Sequence, residues 1–252
     1  MIKQKHNKYM KIFWICGQHT VNEAIKNPKR KIAKVICKQD SLTEKLCIKH
    51  NLKYQHYKHK DENKIIKNNE QIAHQNTFAQ IEELPNQNLK DISQSSKINF
   101  IALENITDVR NIGSIIRTSV CFGIQGLIIE KKNFKSDSME IFKAASGAME
   151  YINIYIVSNL NQSLRNIKKK NFFIYGFDSN QGEEFNEKTI AKINNVFVLG
   201  SEGSGLKELT KKNCDFLIKL NMANTIESLN VANACSAALG IFNYISNKKK
   251  AQ

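Results

Sequence analysis

The chain has 252 residues, 41% of them hydrophobic, enough for one large or two modest domains and too few for three. Its 38 basic against 23 acidic residues give a formal charge of +15, a field that draws polyanions, nucleic acid first among them. No window approaches the roughly 18 apolar residues of a membrane span, and the Lys- and His-rich start Met1–Lys11 lacks the apolar core of a secretory signal, so a cytoplasmic protein with no membrane partner is expected.

From Tyr9 to Ile81 short apolar runs alternate with amphipathic stretches: a strand at Ile12–Cys16, a helix about Val21–Ile25, a strand at Ile32–Cys37 and a helix at Leu42–His50. This alternation predicts a small α/β domain over residues 9–81. The polar stretch Glu82–Lys97, with Pro85 and no sustained period, reads as a linker. A second α/β domain follows over residues 98–252. Its expected strands are Phe100–Leu103, Leu127–Glu130, Ile152–Val157, Phe172–Gly176, Val196–Gly200 and Phe216–Leu220, with helices near 111–122, 138–148 and 161–170. The last long helix is placed from Ser228, a suitable N-cap, and carries the apolar stripe Val231, Cys235, Ala238, Phe242 and Ile245, which suits core or dimer packing.

The six cysteines are scattered, no two closer than ten residues, and form neither a zinc pair nor a disulfide framework; most read as small buried hydrophobes, and no metal is expected. All six histidines precede the second domain; His19 and His74 are open to RNA contact or to a structural role. Lys168–Lys170 and Lys248–Lys250 are likewise phosphate contacts or solvated faces. Only four arginines, Arg30, Arg110, Arg117 and Arg165, stand among 34 lysines, and an arginine kept against that bias supplies a planar, always-charged fork that lysine cannot.

Three segments carry chemistry. The first, Glu104–Arg117, lies where a strand gives way to a helix, the edge at which open α/β sheets bind ligands, and holds Asn111 and Arg117 nearly two helical turns apart. In isolation it is better explained by Asn111 capping the helix and Arg117 standing in solvent. The second, Val198–Leu206, puts three glycines within six positions after a strand, allowing bare backbone amides to approach a ligand. It is neither a Walker A loop nor a dinucleotide fingerprint, and a strained corner explains it as well. The third runs from Ile218-Lys219-Leu220-Asn221-Met222 to Ser228-Leu229-Asn230-Val231-Ala232, a strand leading into the final helix, whose N-terminus favours an anionic group or is simply capped.

In this order and spacing, N-x-G-x-x-x-R, G-x-E-G-x-G and S-L-N-V-A together resemble the signature of the SpoU/TrmH RNA 2′-O-ribose methyltransferases. Ala145–Glu150 also resembles a family stretch, and Cys16–Val21 with His74-Gln75 is similar to the substrate-binding domain of the 23S rRNA guanosine methyltransferases. The resemblance implies a C-terminal SPOUT methyltransferase domain with a trefoil knot, an L30e-like N-terminal α/β domain, a homodimer, and S-adenosylmethionine as cofactor. It implies catalytic or orienting roles for Arg117, Asn111, Glu202, Ser228 and Asn230, and cofactor contacts at Leu199, Gly200, Ile218, Leu220, Met222, Ser228 and Leu229. The expected substrate is a guanosine ribose in 23S rRNA. A tRNA ribose methyltransferase and a catalytically silent RNA-binding ribosome-assembly protein are the alternatives. The chain departs from the family pattern at Val109 and Asn221, where proline is common, and at Asn224, where glycine is, which bears on pocket stiffness and leaves the polar roles in place.

Overall fold

The computed structural model describes residues 10–66, 72–92, 98–179, 181–186, 190, 194–201, 203–223 and 228–251, the last three without their side chains. The chain divides into two compact units, Met1–Pro85 with Ser136–Lys143, and Asn86–Lys135 with Ala144–Gln252.

The first unit contains strands β1 (Ile12–Cys16), β2 (Ile32–Cys37), β3 (Tyr54–His56) and β4 (Phe78–Glu82) and helices α1 (Gln18–Lys26), α2 (Leu42–Lys49) and α3 (His59–Ile65). The strands order as β1-β4-β2-β3, with β4 antiparallel to β1 and β2, and β3 parallel to β2. Ile15, Val21, Ala24, Val35, Cys47, Phe78 and Ile81 bury the apolar faces of these elements. Three of the elements, β3, α3 and β4, were not expected from the sequence, and Glu82 ends a strand rather than opening the linker.

Segment Ser136–Lys143 belongs to this unit although it lies far along the chain. Phe142 stacks 5.5 Å from Phe13 and its carbonyl accepts from the Thr20 hydroxyl at 3.2 Å. Arg30 explains its own retention: its guanidinium sits 5.9 Å over the Phe142 ring while donating to the Glu82 carbonyl at 2.9 Å, a combination that a lysine ammonium meets poorly.

In the second unit seven strands form a wholly parallel sheet in the order β7-β6-β5-β10-β8-β11-β9. They are β5 (Asn99–Leu103), β6 (Gly126–Glu130), β7 (Asn153–Val157), β8 (Phe172–Phe177), β9 (Glu183–Glu184), β10 (Asn194–Leu199) and β11 (Phe216–Lys219). The central strands read as continuous apolar runs because both faces are covered. Phe100, Ala102, Val196 and Val198 pack with Leu160, Leu164 and Ile167 of helix α6 (Leu160–Lys168). Their alternate neighbours point the other way, where Phe197 meets Phe242 of helix α8 (Val231–Ala251) with ring centroids 4.7 Å apart. The stripe Val231, Cys235, Ala238, Phe242 and Ile245 is buried throughout, so it serves the core. Burial also pushes the Cys16, Cys47, Cys214 and Cys235 thiols up to about 12, as expected of packed hydrophobes.

Several boundaries differ from the sequence reading. The helix expected over 138–148 ends at Ala145 (α5, Met139–Ala145), because Ser146 at φ 49° and Gly147 at φ 93° turn left-handed before a 3-10 turn at Ala148–Glu150. Helix α4 (Val109–Cys121) is capped by Asp108, whose carboxylate accepts the Arg110 N–H at 2.7 Å, so Asn111 is not the cap. Val109 thereby occupies the first helical position, where proline is favoured but not required. The final helix is capped by Asn230 rather than Ser228, its side-chain oxygen accepting the Ala232 N–H at 2.9 Å.

Candidate active site

The site forms at the C-terminal ends of β8, β10 and β11, where parallel sheets present their loops to ligands. After Leu199 the chain folds back on itself: Ser201 and Gly205 pair as an isolated antiparallel bridge, and the Gly205 N–H donates to the Ser201 carbonyl at 2.9 Å. Gly200 lets this happen, since a Cβ there would fall on the Gly205 carbonyl. Gly205 adopts φ 61°, and a Cβ on Gly203 would meet nothing within 4 Å, so the loop shows bare backbone on its open side.

The far end of the loop is fixed by Glu104. Its backbone N–H continues the β5–β10 ladder to Leu199, and its 3%-exposed carboxylate accepts the Lys207 N–H at 2.8 Å and the Thr210 hydroxyl at 2.6 Å. Thr210 belongs to helix α7 (Glu208–Asn213), an element the sequence reading missed. Glu104→Ala removes the acceptor for the loop's last N–H and the nearer acceptor for a buried hydroxyl, which keeps the Asn161 side-chain oxygen at 3.2 Å; it should cost about 1–3 kcal/mol in urea denaturation, with Glu104→Gln recovering part of the loss. An unchanged denaturation midpoint for the alanine variant would show that this carboxylate does not hold the loop.

A cavity of about 160 Å³ opens beside the loop. Leu199, Gly200, Ile218, Leu220, Met222, Ser228 and Leu229 all line it, bringing parts of the second and third motifs to one wall. Phe177, Asp178, Ser179 and Lys211, to which no motif pointed, complete that wall with the hydroxyls of Ser201 and Ser204. Asp178, 7% exposed, pairs with the Lys211 ammonium at 2.8 Å and accepts the Gln181 N–H at 3.1 Å. The Asp178 carboxylate, with help from Glu208, raises the Lys211 pKa above its ordinary value. Apolar side chains, hydroxyls and exposed backbone in one concave wall suit a nucleoside, whose base is flat and apolar in face and polar at its edge.

The polar residues expected to act in catalysis are distributed differently. Among those that are described, Ser228 alone lines the cavity. Asn230 and Asn111 meet each other, the Asn230 amide donating to the Asn111 side-chain oxygen at 3.1 Å, so the first and third motifs are joined through the starts of α8 and α4. Packing of α4 on α8 is reinforced by the Thr118 and Ser236 hydroxyls at 3.2 Å. Arg117 stands on the exposed side of α4, with no hydrogen bond or ion pair to a described residue. Glu202 lies outside the described residues, as does Asn224. Asn221, at the position of a family proline, donates to the Glu184 carboxylate at 2.5 Å. Among the described residues no three of His, Cys, Asp or Glu cluster as metal ligands.

The other candidates differ in their surroundings. His74 stacks 4.8 Å from Phe78 with its Nε2 3.3 Å from Glu62, whereas His19 is exposed on α1. Lys168 pairs with Asp215 at 2.6 Å and Lys170 donates to the Lys90 carbonyl at 2.6 Å, so two of that run's three ammonium groups have partners within the fold.

A parallel sheet with a glycine-rich loop and a cavity at its strand ends defines an α/β domain of the open, strand-end-site class. The chain belongs to the SpoU rRNA Methylase family, whose model matches residues 99–240. It is 32% identical over 182 residues to YacO of Bacillus subtilis, assigned to the TrmH family of tRNA/rRNA methyltransferases, covering 70% of this chain and 71% of YacO. It is 35% identical over 147 residues to slr0955 of Synechocystis, an uncharacterized tRNA/rRNA methyltransferase; this covers 58% of the chain but only 38% of that protein. Two solved structures share the fold. AviRb of Streptomyces viridochromogenes, a SpoU methyltransferase solved in complex with the cofactor AdoMet, superposes with TM-score 0.76 at 18% identity, covering 94% of this chain and 90% of AviRb. An AdoMet-bound rRNA methyltransferase from Sinorhizobium meliloti gives TM-score 0.74 at 22% identity, covering 91% and 86%.

Proposed function

We propose that the chain transfers a methyl group from S-adenosylmethionine to a ribose 2′-hydroxyl of RNA, with a guanosine of 23S rRNA as its target. The observation that carries this reading is the cavity at the ends of β8, β10 and β11, lined by residues of the second and third motifs. Family membership supports methyl transfer, and the chain's charge of +15 supports a polyanionic substrate.

The cofactor would lie against Leu199, Gly200, Ile218, Leu220, Met222, Ser228 and Leu229, and when bound supplies a sulfonium methyl as electrophile. The ribose hydroxyl is a poor acid near neutral pH, so this chain's part is to stabilise the oxygen as its proton leaves. Arg117 takes that role together with a substrate phosphate; as a guanidinium it stays charged and offers donors rather than accepting a proton. Asn111 and Asn230, already hydrogen-bonded to each other, orient the ribose with Ser228 and Glu202. The C-terminal domain carries the trefoil knot and works as a homodimer, with exposed Ile241 and Tyr244 of α8 available to a second copy. Residues 9–81 form the domain that binds RNA, in the cytoplasm. No described helix is long and apolar enough to cross a membrane.

Calorimetric titration with S-adenosylmethionine, followed by transfer assays on 23S rRNA and tRNA transcripts with nucleoside analysis, tests the proposal. Cofactor binding and 2′-O-methylguanosine in the rRNA are expected, with RNA affinity falling steeply as salt rises. Methylation of tRNA alone would keep the reaction and replace the substrate. Failure to bind cofactor even with RNA present would leave a silent RNA-binding scaffold.

A further inference from the structure

A second cavity, of about 470 Å³, lies within the same unit as the first, lined by β7, which is an end strand of the sheet, by helix α6 and by residues 86–90. Tyr155 of β7 is part of its wall. The Tyr155 ring is packed 5.2 Å from Phe100 and the residue is only 7% exposed, yet its hydroxyl makes no hydrogen bond to a described residue. Burial pushes the phenol pKa above its ordinary value, so the group stays a neutral O–H. A hydroxyl withdrawn from solvent without a partner is costly, and the cavity is where a partner can reach it.

The amides of this wall are oriented by the fold so that their NH2 groups are the spare ones. Asn88 and Asn159 accept the backbone N–H groups of Lys90 and Gln162 at 3.0 and 2.8 Å, contacts that only a side-chain oxygen can make. Asn166 is fixed less directly. The Arg165 guanidinium, which can only donate, holds the Gln162 oxygen at 2.9 Å, so the Gln162 NH2 faces Asn166 and donates to its oxygen at 3.0 Å. None of the three remaining NH2 groups has a partner among the described residues. The described lining contains no carboxylate, its charged residues are Lys90 and Lys170, and Leu89 and Ile167 give it apolar surface. Neutral donors over apolar surface, with cations and no anion, suit a flat ligand that bears carbonyl acceptors and is attached to phosphate.

We propose that this cavity is a second RNA subsite, which takes an unpaired nucleotide flanking the target and reads the carbonyl edge of a uracil or guanine base through Tyr155, Asn88, Asn159 and Asn166. This rests on the reading of the chain as an RNA methyltransferase. Bases of single-stranded RNA, once splayed from the stack, are recognised by hydrogen bonds to their edges. Because the sheet is parallel, β7 ends on the same side as β8, β10 and β11, with β6 and β5 between it and β10. Three strand spacings, about 14 Å, therefore separate β7 from β10, a gap that a short single strand bridges.

Fluorescence anisotropy of the full chain with labelled decauridylate and decaadenylate tests this, using the unmodified protein, Tyr155→Phe and Asn166→Asp. The unmodified protein is expected to bind decauridylate more tightly than decaadenylate. Tyr155→Phe removes the hydroxyl alone, and Asn166→Asp replaces the spare donor with an acceptor on an exposed residue, where folding is not at stake. Each should weaken decauridylate binding about threefold to tenfold and shrink the preference for uridine. Calorimetry with S-adenosylhomocysteine and urea denaturation should give unchanged cofactor affinity and midpoint in both variants, which shows that they are folded. A preference missing from the unmodified protein, or retained in both variants, overturns the subsite, as does equal weakening of the two oligonucleotides, which reports phosphate contact alone. Those results leave methyl transfer standing, whereas failure of the unmodified chain to bind any RNA, 23S rRNA and tRNA transcripts included, overturns both readings.

Discussion

Arg117→Ala is expected to abolish methyl transfer, with a fall of about 10³-fold or more in kcat, while cofactor affinity is largely kept. Arg117 lies on the exposed side of α4 and is not part of the cavity wall, so its removal takes nothing from the surface against which a nucleoside would rest. It has no hydrogen bond or ion pair to a described residue, so the guanidinium is available to a substrate phosphate or to the developing alkoxide. Interactions made only as the reaction proceeds act on kcat rather than on ground-state affinity. Arg117→Lys keeps the charge but loses the planar fork, and should fall between the two. Single-turnover transfer with calorimetry of the cofactor separates the effects. Turnover unchanged by the alanine substitution would remove Arg117 from the catalytic role.

Gly200→Ala should weaken cofactor binding by about two orders of magnitude and destabilise the fold by about 1–3 kcal/mol. The added methyl falls on the Gly205 carbonyl, which is backbone and cannot rotate away as a side chain would. Relief requires opening the Ser201–Gly205 bridge, and the loop is held at its other end by the Glu104 contact to Lys207. The strain therefore passes into the cavity wall, where Gly200, Ser201, Gly203 and Ser204 all lie. Gly203→Ala is the control: its Cβ meets nothing within 4 Å, so stability should stay within about 0.5 kcal/mol, and any loss of affinity there reports direct approach of the ligand. Urea denaturation and cofactor titration of both variants check this. Full affinity in Gly200→Ala would mean that the loop does not shape the cofactor site.

What the amino-acid order determined by itself was whatever local burial writes into local pattern. Strands such as Val196–Leu199 and Phe100–Leu103 were legible because a parallel strand covered on both faces needs an unbroken run of apolar residues. The α8 stripe was legible because one helical face is core. The seven residues expected to touch cofactor were placed by the order of three motifs, and they line one cavity. Periodicity failed where the burial signal is thin. Tyr54–His56 forms an edge strand, and His59–Ile65 is a helix with Asp61 as its one buried residue.

Only tertiary structure could decide the rest, because a pairing between distant residues leaves no local trace. Glu104 and Thr210 are 106 residues apart, and Asn111 and Asn230 are 119 apart; each pair is joined by strands and helices meeting in space. The same holds for Ser136–Lys143, which packs with the first unit through Phe142. Asp178 and Lys211 carry no motif, and become part of a site only because parallel pairing sets the ends of β8, β10 and β11 side by side, with α7 bringing Lys211 to the wall they form.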